Sequence, residues 1–134
     1  MLKLKSQTFE IQAEPQRVLE FLALTANYAL LLPSDQTSDF QANSTQFSFK
    51  AAGQVNLALE KQNLSSDRIQ FIGLKSNPFA FDLIIHVLPL GSHTTGHIEI
   101  NADLNMMLKM LIEKPLQKLL VEMADNLRKA LAVQ

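Results

Sequence analysis

The sequence contains no cysteine, and only four of its 134 residues are glycine. The absence of cysteine excludes disulfides, iron–sulfur clusters, thiol catalysis and every zinc site that uses thiolate ligands. The glycines stand apart at positions 53, 73, 91 and 96, so neither a phosphate-binding loop nor a dinucleotide-binding motif is present. The Gly-x-Ser-x-Gly elbow of serine hydrolases is also missing. The chain therefore carries no recognisable nucleotide-binding or nucleophile motif.

An excess of charge of one sign is missing as well, since 12 basic residues accompany 13 acidic ones and the net charge is -1. Such a chain has no general attraction for nucleic acid or for anionic membranes. No apolar run approaches the ~20 residues that a membrane-spanning helix needs, and the apolar stretch 29–32 ends at Pro33. We therefore expect a soluble, cytoplasmic protein, monomeric or homodimeric, with no cofactor, no nucleic-acid partner and no stable membrane insertion.

The composition is that of one globular domain spanning residues 1–134, because 47% of the residues are hydrophobic and 19% are charged. Residues 1–13 alternate like a strand, and a change of parity near residues 6–8 predicts a bulge or an edge position. Pro15 favours a helix start, because its missing N–H needs no partner there. A second short helix is expected over about residues 26–32, with a single kinked helix as the alternative.

Residues 35–103 alternate mostly with a period of two, which predicts six further strands joined by short turns, one of them at Gly53 and another at Gly91. Residues 105–133 repeat leucine and methionine at helical spacing, and Pro115 is predicted to kink or split that helix. These patterns predict an α+β fold. In the predicted arrangement, seven antiparallel strands form one curved sheet, two short helices follow the first strand, and a long C-terminal helix crosses the concave face.

Three segments, 11–22, 77–81 and 102–110 together with 113–120, carry a resemblance to a known superfamily. The first runs from a strand through a small residue and a proline into a helix, the second opens the penultimate strand, and the third is a strand-to-helix junction. In these segments, and in the closing residues 123–127, the chain resembles small bacterial members of the START-like helix-grip superfamily, also called SRPBCC and typified by the birch-pollen allergen. The resemblance covers nearly the whole chain and implies the helix-grip fold.

That superfamily includes polyketide cyclases, lipid-transfer domains, hormone-binding and quinone-binding proteins, and chaperone co-factors. The resemblance consequently implies a fold without selecting a function. The strand alternation assigns residues to the inward face of the sheet, and no Asp, Glu, His, Lys or Arg is evident among them. An apolar lining is typical of a pocket for an apolar ligand, and it weighs against a convergent catalytic pair.

We therefore expect a binding protein with an apolar cavity between the sheet and the C-terminal helix. By the resemblance, its ligand would be lipid-like, quinone-like or polyketide-like. The Met-rich piece of the helix before Pro115 would act as a lid, because methionine adapts to irregular shapes. The residues expected to line the cavity are Tyr28, Phe49, Phe71, Phe81, Met107, Met110 and Met123.

The three histidines are His86, His93 and His97. A hairpin that turns at residues 91–92 would place His86 opposite His97, with Glu99 on the same face. Imidazole and carboxylate groups are metal ligands, but the alternation puts these side chains on the outer face, away from the apolar core. We expect a solvated or interface surface there, with neither a metal site nor a catalytic residue.

Two alternative functions stay open. One is an enzyme of the cyclase or dehydratase type, in which Tyr28 and Asn105 supply polar contacts. Tyr28 also fits a core position, and Asn105, like Asp103, fits a helix cap. The other is a protein-interaction module whose cavity is filled by its own large side chains and whose outer sheet face binds a protein.

Overall fold

The computed structural model describes residues 2–51 and 55–132, which form eight β-strands and three α-helices. The strands are β1 (Leu2–Lys5), β2 (Phe9–Ile11), β3 (Ser38–Ala42), β4 (Gln46–Ala51), β5 (Val55–Leu64), β6 (Arg68–Gly73), β7 (Ala80–Leu90) and β8 (His93–Asp103). The helices are α1 (Pro15–Ala23), α2 (Tyr28–Leu31) and α3 (Met106–Ala132), with a 3₁₀ turn, Thr25–Asn27, between α1 and α2. The turn predicted at Gly53 and the helix end predicted at Val133 lie outside the described residues.

All eight strands belong to one antiparallel sheet with the order β1-β8-β7-β6-β5-β4-β3, and β2 also pairs with β8. The single strand predicted over residues 1–13 is therefore divided into β1 and β2. The division occurs at Ser6, whose backbone N–H donates to the carbonyl oxygen of Ile98 at 2.8 Å. Its hydroxyl oxygen accepts the Ile98 N–H, also at 2.8 Å. The Ser6 hydroxyl thus replaces a backbone carbonyl as the acceptor of the Ile98 N–H. The inward-facing residues are even-numbered in β1 and odd-numbered in β2, so the alternation changes parity at this point.

The helices begin where the sequence predicts. Pro15 occupies the first turn of α1, and α1 and α2 are separate helices, which decides against the single kinked helix. Helix α3 continues through Pro115, so the proline does not split it. Asn105 caps α3, since its side-chain oxygen accepts the N–H of Leu108 at 2.9 Å.

The core lies between the sheet and the helices, as the α+β prediction requires. An aromatic cluster occupies its centre, where Tyr28 stacks on Phe47 at 4.5 Å and both rings meet the edge of Phe71. All buried residues of α3 lie at Leu116 or beyond, so its first three turns contribute only partly buried side chains. Among the described residues, no helix is both long and apolar enough to cross a membrane.

Candidate functional site

An apolar cleft lies between the sheet and α3. Its inner part is lined by Leu32, Phe47, Phe49, Leu57, Leu59, Phe79, Phe81, Leu83, Ile100, Leu116, Leu119 and Met123. Its outer part is lined by Gln36, Ala51, Val55, Leu57, Phe79, Ile112, Pro115, Leu116 and Leu119. The two parts share four residues, and several residues of the outer part are partly exposed. They therefore form one cleft that reaches the surface beside Pro115.

Little empty space remains in the apolar cleft. The inner and the outer parts each hold about 20 Å³ of free volume, which is room for about one water molecule. Pockets that enclose drug-sized molecules have volumes of roughly 300–1,000 Å³. A lipid-like or quinone-like ligand could enter only if the cleft widens.

The structure brings together three of the seven residues that were expected to line the cavity. Phe49, Phe81 and Met123 lie in the inner part of the apolar cleft. Met107 and Met110 do not, because their side chains are 72% and 79% exposed. The expected lining is corrected at these two positions.

The geometry of α3 explains why Met107 and Met110 do not line the apolar cleft. In the first turns of α3 the sheet-facing positions belong to Leu108 and Ile112, which are packed against the core. Residues i and i+4 share one face of a helix, so Met107 and Met110 point away from that face. The helical spacing in the sequence correctly places Met107 and Met110 on α3. They nevertheless lie outside the narrow face of the helix that contacts the sheet.

Tyr28 and Phe71 belong to the aromatic cluster and do not line the apolar cleft. Tyr28 is fully buried, and its hydroxyl donates to the backbone carbonyl of Leu22 at 2.9 Å. Burial raises the pKa of this phenol well above its ordinary value. Tyr28 is thus a core residue whose polar group already has a partner.

From Gln117 onward, side chains of α3 form hydrogen bonds to other parts of the fold. The side chain of Gln117 donates to the backbone carbonyl of Lys5 at 2.8 Å, and that of Asn126 donates to the carbonyl of Leu31 at 2.9 Å. In the described part of the chain, no hydrogen bond joins residues 106–114 of α3 to another strand or helix. The segment 106–114 is therefore the part of α3 that is easiest to displace.

A polar cluster lies on the opposite face of the sheet. His86 and His97 are direct partners across β7 and β8, as the sequence predicts, and their rings stack with centroids 4.4 Å apart. Glu99 Oε1 lies 3.2 Å from His86 Nε2 and 3.9 Å from His97 Nε2. Lys3 Nζ lies 3.7 Å from the other carboxylate oxygen, Glu99 Oε2. We call His86, His97 and Glu99 the outer-face cluster.

Two residues of the outer-face cluster, His97 and Glu99, have shifted pKa values. Both values are lowered, so each group favours its unprotonated form. Burial is the main cause that lowers the pKa of His97, the charges of His86 and Lys5 lower it further, and Glu99 opposes them. Burial alone raises the pKa of Glu99, but Asn101, His86 and Lys3 outweigh it, and its pKa lies below the ordinary value.

The lowered pKa of His97 predicts a pH dependence of stability. In the metal-free protein, the unfolded chain binds a proton at this histidine more readily than the folded chain does. The free energy of unfolding is therefore expected to fall as the pH decreases from about 6.5 through the folded pKa of His97. Urea titrations between about pH 7.5 and 5 in the presence of EDTA measure this slope.

His97→Gln is expected to flatten the slope in that range, because the titrating group is removed. His93→Gln is the matched control, since His93 is exposed at the first position of β8. Equal slopes in His97→Gln and the wild type would contradict the prediction. Glu99 contributes a separate loss of stability at lower pH, because its lowered pKa means that protonation below about 4.5 disfavours the folded state.

The sequence matches no protein-family model and no curated protein, whereas many solved structures match the fold. A protein from Thermus thermophilus superposes over 98% of both chains with a TM-score of 0.78 and 16% identity. A START superfamily protein from Mycobacterium smegmatis covers 96% of both chains, with a TM-score of 0.68 and 14% identity.

A third similar structure is a point mutant of norcoclaurine synthase from Thalictrum flavum in complex with a transition-state analogue. It covers 98% of this chain and 96% of its own, with a TM-score of 0.69 and 11% identity. The chain therefore has the START-like helix-grip fold, and the resemblance drawn from the sequence is confirmed as to fold. At these identities the structures say nothing specific about the ligand.

Proposed function

We propose that the protein binds an apolar small molecule in the apolar cleft between the sheet and α3. The observation that carries the proposal is the lining, which in its inner part consists of apolar side chains alone. Norcoclaurine synthase, a solved structure of the same fold, forms a complex with a transition-state analogue. The class of ligand, lipid-like, quinone-like or polyketide-like, rests on the superfamily resemblance. A cytoplasmic location and a monomeric or homodimeric state belong to the same proposal.

Binding requires the segment 106–114 to move away from the sheet. Pro115 has no N–H, so the carbonyl of Leu111 lacks its usual helical partner at this point. The segment has no fully buried side chain, whereas α3 is buried and hydrogen-bonded from Leu116 onward. Its displacement exposes Ile112 and the mouth of the cleft and leaves the rest of α3 in place.

A fluorescent fatty-acid probe tests the proposal. The wild type is expected to bind the probe, and Val55→Trp is expected to weaken binding at least about tenfold, because the indole fills the mouth of the cleft. Val121→Trp is the matched control, since Val121 lies on the surface of α3 and is not part of the lining. Equilibrium titrations and displacement by unlabelled fatty acid or quinone give the dissociation constants.

Two outcomes of this experiment would reject the proposal. One is the absence of probe binding to the wild type above background. The other is equal binding by Val55→Trp and the wild type, which would place the probe elsewhere on the protein. Thermal melts of both tryptophan variants establish that the comparison is made between folded proteins.

A second candidate function is a protein-interaction module with a filled interior. The observation that favours it is the free volume of about 20 Å³ in each part of the cleft. Native mass spectrometry of the purified chain separates the two functions, because a binding protein is expected to retain a small molecule and a filled module is not.

The cyclase-type alternative draws no support from the residues that were named for it. The hydroxyl of Tyr28 is fully buried and donates to the Leu22 carbonyl, and the side-chain oxygen of Asn105 caps α3. In the described part of the cleft, the lining contains no titratable side chain. General acid–base catalysis would need one within reach of the ligand.

A further inference from the structure

The outer-face cluster lies on the side of the sheet that faces away from α3 and is separate from the apolar cleft. Its side chains are 23%, 28% and 11% exposed for His86, His97 and Glu99, so an ion in solution can reach them. We propose that this cluster binds a divalent transition-metal ion such as Zn²⁺, Ni²⁺ or Co²⁺. The ligand atoms are Nε2 of each histidine and Oε1 of Glu99.

The distances within the cluster are close to those of a metal site. One ligand atom from each residue lies within 4.8 Å of the other two. In a tetrahedral site with bonds of about 2.0–2.1 Å, neighbouring ligand atoms are about 3.3 Å apart. His86 Nε2 is already 3.2 Å from Glu99 Oε1, and His97 Nε2 is 3.9 Å from it. A displacement of about 0.6 Å brings the second pair to the same separation, and the stacked rings of His86 and His97, which are 18° from parallel, must also turn so that both Nε2 atoms point at one ion.

The backbone holds the three residues in this arrangement. His86 and His97 occupy one register pair of β7 and β8, and Glu99 follows two residues later on the same face of β8. β7 and β8 are the longest strands of the sheet and pair along their whole length. Metal ligands on paired strands are more firmly placed than ligands on loops.

The ligand types select the class of metal. Two imidazole nitrogens and one carboxylate oxygen suit zinc and the neighbouring transition metals, whereas Ca²⁺ and Mg²⁺ prefer oxygen ligands. Both histidines bind a metal in their neutral forms, so the affinity is expected to fall as the pH decreases. Three protein ligands leave a fourth position for water, the ligand number found in zinc sites that remain open.

Positive charges near the cluster oppose the metal. Lys5 is the register partner of Glu99, and Arg68 is the register partner of His86. Lys3 contacts Glu99 as well, but through Oε2, which leaves Oε1 to the histidines. These cations are expected to lower the affinity without blocking the ligand atoms. Removing Lys3 should consequently tighten metal binding.

This proposal departs from the expectation drawn from the sequence, which was that this face carries no metal site. Strand alternation shows that the three side chains share a face, but it does not give the distances between their nitrogen and oxygen atoms. Those distances are what favours a metal. The proposal does not depend on the apolar cleft, so either can fail without the other.

Isothermal titration calorimetry of the tag-free, EDTA-treated full chain with ZnCl₂, and separately with NiCl₂, tests the site. One ion per chain is expected. His97→Ala and Glu99→Gln are each expected to weaken binding at least about tenfold, since even loss of a group that only supports a ligand costs about 10–100-fold. His93→Ala is the matched control, because it removes the exposed histidine of the same hairpin and should leave the affinity unchanged.

Lys3→Ala supplies a test in the opposite direction, because it is expected to raise the affinity for Zn²⁺. The site is overturned if the wild type shows no stoichiometric binding or if His97→Ala or Glu99→Gln binds as the wild type does. It is also overturned if His93→Ala abolishes binding. Circular dichroism establishes that each variant is folded, and Glu99→Gln, which keeps the side-chain shape, provides the test if His97→Ala unfolds.

Discussion

Leu120→Ala is expected to lower the free energy of unfolding by about 2–5 kcal/mol. Leu120 is fully buried where α3 meets the sheet, and Leu127, two turns further along α3, is fully buried as well. Truncation removes apolar contacts and leaves a cavity that the paired strands beneath cannot close. Leu127→Ala is expected to have an effect of the same size.

Leu111→Ala is the matched control, because Leu111 belongs to the same helix but is 66% exposed. Its effect is expected to stay within about 0.5 kcal/mol. Urea unfolding followed by circular dichroism measures all three variants, with equal m-values required for the comparison. If Leu120→Ala unfolded at the same urea concentration as the wild type, the packing of α3 described above would be incorrect.

The contrast between Leu120 and Leu111 also bears on function. All buried side chains of α3 lie at Leu116 or beyond, while the segment 106–114 touches the core only through partly buried side chains. Ligand-binding segments are commonly drawn from the least stable parts of a fold. The proposed opening of the apolar cleft beside Pro115 follows this division of the helix.

The hairpin of β7 and β8 shows how much of the fold could be predicted from the sequence. Both strands alternate apolar and polar residues over many positions, and Gly91, with a φ of 63°, forms the turn between them. Counting outward from that turn gives the pairing of His86 with His97. Register follows from the sequence here because a one-residue slip would expose the whole apolar face.

The Met-rich start of α3 shows what the sequence could not give. Helical spacing identifies an apolar stripe, but Met106, Met107 and Met110 are 73%, 72% and 79% exposed. How much of a stripe is covered depends on how far the neighbouring strands reach beneath it, which is a tertiary property. The free volume of the cleft has the same origin, because it depends on how side chains from several strands and from α3 fit together.

Gly96→Ala is expected to be at least as destabilising as either leucine truncation, with a loss of more than about 4 kcal/mol. A Cβ atom at this position would lie 1.9 Å from the backbone carbonyl oxygen of His86 and 2.9 Å from Phe9 Cζ. The phenyl ring could rotate, but the carbonyl belongs to the ladder between β7 and β8. The methyl group therefore forces the two longest strands apart.

Gly91→Ala is the matched control for this substitution. A Cβ atom at Gly91 meets nothing within 4 Å, so its cost comes from the positive φ alone, about 1–2 kcal/mol. Urea unfolding of both variants separates steric overlap between strands from backbone conformation at the turn. Equal stabilities of Gly96→Ala and Gly91→Ala would contradict the close approach of β7 and β8. Gly96 directly precedes His97, and separation of the strands moves His86 away from His97. A folded Gly96→Ala protein is therefore also expected to bind Zn²⁺ more weakly than Gly91→Ala does.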